Sequence, residues 1–328
     1  MTVIDTHFHW FPRPYLDRMC GRSGFPRAER AGSGYVYRYD GGKAALELPE
    51  VWVDLDRGLE EAVAVSGEDT AVVCTAGVLS GILDQAPAAE AADIAREHNE
   101  LMADAERRYP GRFYGTATVP LGDDHLAIDV LDHAVDELGL HAVNLPSITN
   151  GELVDTERLE PYYARVAELG VPLVVHPTDL VYGSELGDRY GGALQLTIGR
   201  LLDSSMTVLR LVLSGLMARH PDLRIVQTHA GGLLPYQAGR IDKNGGGAKL
   251  PEPPSTYLKR LFVDTVAPQP LTIATAVAFF GADHVLYGTD YPCWSPKAAL
   301  ETIDAAGLAA GDRALVTAEN ARALLRLR

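Results

Sequence analysis

The chain is short of nearly everything that would tie it to a membrane, a nucleic acid or an oxidising compartment. It holds three cysteines, Cys20, Cys74 and Cys293. They are too few and too scattered for a disulfide framework or a cysteine-based metal motif, and they suit a reducing cytosol. The longest apolar run, Leu271 to Phe280, is about half of what a membrane span needs. The start, Met1-Thr2-Val3-Ile4-Asp5-Thr6-His7, has neither the basic nor the apolar region of a secretory signal. A cytoplasmic location is therefore expected. Basic residues are outnumbered, 29 Lys+Arg against 44 Asp+Glu, which gives a net charge of −15. That excess repels phosphate backbones and anionic lipid, so the expected partner is a small molecule, with no nucleic acid and no membrane. With 47% apolar and 22% charged residues, bulk disorder is excluded as well.

What is present is alternation. Short β-branched runs recur at Val3–His9, Ala71–Thr75, Phe113–Val119, His141–Leu145, Pro172–His176, Arg224–His229, Leu261–Thr265 and His284–Asp290. Most are near-continuously apolar, as parallel strands buried on both faces are. Helix-compatible stretches separate them: Ala88–Tyr109, Asp123–Leu138, Thr156–Leu169 with Thr156 as N-cap, Ala193–His220 and Pro270–Phe280. Eight strands alternating with helices predict an α/β fold, the (β/α)8 TIM barrel, over residues 1–328 as one domain. An open doubly wound sheet fits less well, because no glycine-rich phosphate turn follows the first strand. Three segments exceed the minimal unit. Residues 11–56, Pro/Gly/Tyr-rich and read as patternless, form a long insertion after strand one. Thr178–Gly192 and Lys243–Pro254 are further loops. All three follow C-terminal strand ends, where barrels build their active sites.

Ten histidines in an acidic chain invite the next question. His7 and His9 end the first run; two residues apart on a strand, they share a face. His176 ends the fifth run, His229 the sixth and Asp290 the eighth. Each alone has a bland explanation, such as a satisfied core histidine or an aspartate capping a turn. Five on one barrel face together point to a metal centre. Imidazole nitrogens with one carboxylate suit Zn²⁺ first, with Mn²⁺, Fe²⁺ or Co²⁺ as alternatives. Spacing alone does not separate ligand from base among the five. His98, His125, His133, His141, His220 and His284 do not share the pattern and are read as structural or solvent-facing.

These pieces resemble the amidohydrolase superfamily, in its aminocarboxymuconate-semialdehyde decarboxylase-like branch. The matching stretches are Ile4-Asp5-Thr6-His7-Phe8-His9, Pro172-Leu173-Val174-Val175-His176-Pro177 and Thr228-His229-Ala230-Gly231-Gly232 with Gly239-Arg240-Ile241. Phe262-Val263-Asp264-Thr265, Tyr287-Gly288-Thr289-Asp290-Tyr291-Pro292 and Glu319-Asn320-Ala321-Arg322 follow. The resemblance spans the whole chain. It implies one catalytic divalent ion held by His7, His9, His176 and Asp290. His229 would be the acid/base beside it, and Asp290 would serve as ligand and proton carrier. It also implies that Arg240 reaches a substrate carboxylate, in some members across a homodimer interface.

Decarboxylation and hydrolysis use the same five residues, so the choice rests on the substrate-holding ones. The basic pair of the family's first long loop is missing; Lys43 stands for one at most, and Ala44–Asp54 carries no arginine. Thr178 follows His176-Pro177 where an aromatic is common, and Cys293-Trp294 replaces Phe-Pro. The expected activity is thus a metal-dependent decarboxylase, a lyase, acting on a small carboxylated aromatic or unsaturated substrate touched by Arg240, Trp294 and Thr178. The alternative is hydrolysis of an amide, lactone or ester, and a hydratase comes third. A non-catalytic barrel would have lost one of the five residues, and none is lost. Tyr35, Tyr37, Tyr39, Trp52 and Tyr182 are candidate pocket walls, and Cys293 is read as a buried wall residue rather than a nucleophile.

Overall fold

A computed structural model describes residues 2–67, 69–75, 79–149, 151–178, 190 and 192–327. Among them, eight parallel strands follow the predicted runs: β1 (Val3–Phe8), β2 (Thr70–Cys74), β3 (Phe113–Gly115, continued by Ala117–Thr118), β4 (Val143–Leu145), β5 (Leu173–Val175), β6 (Ile225–Gln227), β7 (Phe262–Asp264) and β8 (Val285–Leu286). Most of the observed strands are shorter than the predicted runs. Neighbours in sequence are neighbours in the sheet throughout. Thr6 N donates to Tyr287 O at 2.8 Å and Asp290 N to His7 O at 2.7 Å, which joins the last strand to the first. This is a closed (β/α)8 barrel.

Two apolar layers follow from strand alternation. Val72, Val143, Leu173, Val175, Ile225, Val263 and Val285 pack outward against the helices. Ile4, Val73, Tyr114, Val174, Val226 and Leu286 form a second cluster with Leu324, Leu325 and Leu327 of the C-terminal segment. The tail thus plugs the N-terminal end of the barrel and leaves the C-terminal end for chemistry. The β1 register slips between Asp5 and Phe8. Such a bulge re-aims side chains. Ile4 joins the inner cluster and Phe8 the outer one, while His7 turns toward the barrel centre.

Residues 11–56 correct the sequence reading. They are folded, with a helix at Arg13–Cys20 and an antiparallel sheet of Arg27–Ala31, Gly34–Tyr39 and Ala44–Leu48. Tyr35, Tyr37 and Tyr39 alternate along the middle strand and are buried there. Tyr37 Oη lies 2.7 Å from Tyr15 Oη, and Tyr35 Oη donates to Asp17 at 2.7 Å. They pack the insertion. Two smaller corrections concern helices. The stretch Ala193–His220 breaks after Leu213, where Gly215 turns left-handed at φ 81°. Thr156 caps its helix without a side-chain bond. Within Lys243–Pro254 the helix Leu234–Asn244 runs on into a 3-10 turn at Gly245–Ala248 and Pro254 opens the next helix, with Asp242 accepting from Ser255. Tyr182 and most of Thr178–Gly192 lie outside the described residues. No described helix is long and apolar enough to cross a membrane.

The remaining histidines lie outside the centre, and His141, His220 and His98 have structural partners while His125 is exposed. His141 bridges Glu106 (2.9 Å) and Leu325 O (3.0 Å) at the barrel foot, and His220 meets Glu160 at 2.7 Å. His98 is fully buried on the helix Ala88–Arg108, edge-on to Tyr15. Burial pushes its pKa down to about 4, against a smaller opposing contact with Asn99. It folds neutral, so the unfolded state binds more protons between pH 6.5 and 4, and stability falls as pH drops through that window. His98→Leu is expected to flatten the fall. Wild type should lose about 3 kcal/mol more than the variant across the window, read from denaturant melts at several pH values.

Candidate metal centre

His7, His9, His176, His229 and Asp290 meet at the open end of the barrel. Ligand atoms of His7, His176, His229 and Asp290 lie within 4.8 Å of one another. His9 joins them through Nε2, 3.1 Å from His7 Nε2 and 2.9 Å from Asp290 Oδ1. Asp290 Oδ1 is also 3.4 Å from His7 Nε2, and its Oδ2 is 3.7 Å from His229 Nε2. All five residues named from the sequence are therefore brought together, His229 as closely as the rest.

What aims them is the opposite ring nitrogen. His7 Nδ1–H donates to Asp264 Oδ2 at 2.7 Å, His9 Nδ1–H to Thr75 O at 3.0 Å and His176 Nδ1–H to Pro177 O at 2.9 Å. Thr228 Oγ1 donates to Val175 O at 2.9 Å, so its lone pair accepts from His229 Nδ1–H at 3.0 Å. With Nδ1 of each ring engaged as a donor, four Nε2 atoms face one point, the arrangement seen where second partners orient metal-binding histidines.

The electrostatics favour a cation there. Burial alone would lower His7, but the Asp290 and Asp264 carboxylates outweigh it and raise it to about 10. Burial lowers His9, and burial with its histidine neighbours lowers His176 far below the usual range, so both are neutral, the ligating form. Burial would raise Asp290, yet His7, His229 and His9 hold it well below the ordinary carboxylate range. Three buried imidazoles, a fourth at the edge and one anionic carboxylate are the donor set of a borderline divalent ion. The centre is built for a single such ion.

Backbone strain marks the same residues. His229, Ala230 and Asp290 have φ of 59°, 53° and 57°. Left-handed L-residues of this kind cost of order 1–2 kcal/mol each and concentrate at functional sites. Residues the sequence reading passed over hold them there. Asp264 supports both His7 and the Ala230 amide. Asp5 accepts from His7 N at 3.1 Å, Thr289 N at 3.0 Å and Thr289 Oγ1 at 2.5 Å, tying β1 to the loop that carries Asp290. The signal for Asp264 was present, since it lies one residue from the end of the run Leu261–Thr265.

The substrate candidates are less convergent. Thr178 is fully buried; its hydroxyl contacts Ser147 Oγ and its amide donates to Asp203 Oδ2 at 3.0 Å, so it is held two residues past His176. Trp294 is exposed at the rim, over a small apolar cleft with Val266, Pro268 and Ala298. Arg240 is exposed on the helix Leu234–Asn244, and among the described residues no contact joins its guanidinium to the cluster. Cys293 is exposed rather than buried. The protein around its sulfur, then Asp290, push the thiol up to about 12, so it is no thiolate nucleophile at neutral pH. Trp52 of the insertion stacks on the His9 ring, centroids 5.8 Å apart and planes at 18°. Lys43 is exposed.

The amidohydrolase family profile matches residues 4–327. The chain belongs to the amidohydrolase family. This amidohydrolase is 31% identical over 255 residues to a gamma-resorcylate decarboxylase of Rhizobium radiobacter, across 73% of this chain and 77% of that one. It is 26% identical over 298 residues to a 2-amino-3-carboxymuconate-6-semialdehyde decarboxylase of Dictyostelium discoideum, across 88% and 81% of the two chains. Among solved structures it superposes, with a TM-score of 0.79 at 24% identity, on a dihydroxybenzoic acid decarboxylase of Polaromonas with bound manganese and the inhibitor 2-nitroresorcinol. That match covers 99% of this chain and 97% of the other. The protein is thus an enzyme of the amidohydrolase superfamily, as its motifs predicted.

Proposed function

We propose that this amidohydrolase is a metal-dependent decarboxylase of a small carboxylated aromatic or unsaturated compound. The observation that carries the reading is the convergence of four Nδ1-anchored histidines and Asp290 on one point. The family relatives, decarboxylases by name, give the reaction. His7, His9, His176 and Asp290 would hold the ion. The nitrogen-rich set favours Zn²⁺, with the Mn²⁺ of the Polaromonas enzyme the alternative. When bound, the ion supplies a fixed positive charge that orients the substrate's carboxylate or a neighbouring oxygen.

His229 is the proton donor in this reading. Its side chain is 12% exposed, against 1% for His7, 5% for His9 and 8% for Asp290, so it is the member best able to exchange protons with solvent. It delivers a proton carried on Nε2, its Nδ1–H staying on Thr228, to the carbon that bears the carboxylate, with Asp290 alongside. The carbon–carboxyl bond then breaks, its electron pair returns to the ring or diene, and CO2 leaves. Water reprotonates His229. Trp52 and Trp294 would wall the pocket, and Thr178 would back it from its place beside Ser147 and Asp203. Arg240, exposed on the helix Leu234–Asn244, would meet the substrate carboxylate of a second copy in a homodimer. A single barrel domain working in the cytoplasm completes the proposal; three free cysteines are compatible with that compartment.

The test is a screen of hydroxybenzoates and unsaturated carboxylates beside lactones and amides, with CO2 and hydrolysis products both measured. Stoichiometric CO2 from a hydroxybenzoate is expected. Hydrolysis of a lactone or amide without CO2 release would replace this reading.

A further inference from the structure

Asp264 ends β7 and is 1% exposed. Its two oxygens serve different parts of the centre. Oδ2 accepts the Nδ1–H of His7 at 2.7 Å. Oδ1 accepts the amides of Ala230 and Val266, each at 3.0 Å. The Ala230 amide belongs to a run of four left-handed residues, His229 (φ 59°), Ala230 (53°), Gly231 (77°) and Gly232 (57°). A backbone so placed needs a partner to hold it.

We propose that Asp264 is a positioning residue that couples the two halves of the centre, fixing the His7 proton on Nδ1 while pinning the left-handed turn that aims His229. The inference rests on the metal reading. Only a carboxylate serves both tasks, because both of its oxygens must accept. An asparagine has one acceptor and one donor end. If its oxygen stays on the Ala230 and Val266 amides, its NH2 faces His7 Nδ1 and drives the ring proton to Nε2, the ligating atom. If the amide flips, its NH2 faces two N–H donors. Asp264→Asn therefore carries a conflict in the metal-loaded protein that the metal-free protein escapes by changing the His7 tautomer.

The test measures Zn²⁺ affinity by chelator competition, and melting temperature with and without Zn²⁺, in wild type, Asp264→Asn and Asp264→Ala. Asp264→Asn is expected to bind Zn²⁺ about 10–100-fold more weakly. Its metal-free melting temperature should stay near that of wild type, and its rise on adding Zn²⁺ should shrink. Asp264→Ala should lower both, since it leaves the Ala230 amide without its acceptor. A purely structural aspartate would instead lower the metal-free melting temperature of Asp264→Asn and leave Zn²⁺ affinity alone. Wild-type affinity in Asp264→Asn overturns the role of Asp264 and leaves the metal centre standing. Failure of wild type to bind Zn²⁺ or Mn²⁺ overturns both.

Discussion

Asp290→Asn is expected to purify without its divalent ion and without activity, while remaining folded. Asp290 supplies the one negative charge inside the ring of imidazoles, 2.9 Å from His9 Nε2 and 3.4 Å from His7 Nε2. The asparagine amide keeps the shape and loses the charge. It also tolerates the left-handed backbone at this position, φ 57°, better than alanine, which would add strain to the loss of a ligand. His7 responds too, since Asp290 is the first of the groups that raise it. Metal affinity should fall by more than the roughly 10–100-fold that follows loss of an outer partner. Turnover should fall with it, and Asp290's share in proton transfer adds a factor of about 10²–10⁴. Elemental analysis after dialysis, with CO2 release on the best substrate, measures both. A full equivalent of metal in the variant would remove Asp290 from the ligand set.

Much of this centre was legible because strand ends and side-chain parity are local facts. His7 and His9, two residues apart, share a face, and their Nε2 atoms meet at 3.1 Å. His176, His229 and Asp290 each end an apolar run, and a closed barrel collects such ends at one mouth. Less of the support was legible. The β1 bulge between Asp5 and Phe8 leaves no signature in the run Ile4-Asp5-Thr6-His7. Asp5 and Thr289 are 284 residues apart and meet only because the barrel closes. The insertion was misread for a different reason. Tyr35-Val36-Tyr37-Arg38-Tyr39 carries the period of two that marks a strand, but its surrounding Gly and Pro suggested loop. Of its flanking strands, Arg27–Ala31 is mostly charged, and Ala44–Leu48 is made of Ala, Leu and Glu, which favour helix over strand. Trp52 shows what the insertion contributes to the centre: one aromatic face laid on His9.

His229→Asn is expected to give the opposite pattern, metal kept and turnover lost. The choice of asparagine matters. His229 sits at φ 59° and Ala230 at 53°, where asparagine is among the few side chains the backbone accepts readily. Alanine would mix backbone strain with loss of the imidazole, so a fall in rate would say little about proton transfer. Asparagine cannot exchange a proton near neutrality. Four ligands remain, three of them with their Nδ1 protons held by Asp264, Thr75 and Pro177 and none of them leaning on His229 for that bond. The ion should therefore stay near one equivalent. Turnover at matched metal occupancy should fall by about 10²–10⁴, the usual worth of a positioned acid/base. Loss of the ion from His229→Asn would instead make His229 a ligand, consistent with its 3.7 Å approach to Asp290 Oδ2. Unchanged turnover would pass the proton to Asp290. Its carboxylate faces the same point but is held strongly acidic by the imidazoles around it, so it is the poorer donor near neutral pH.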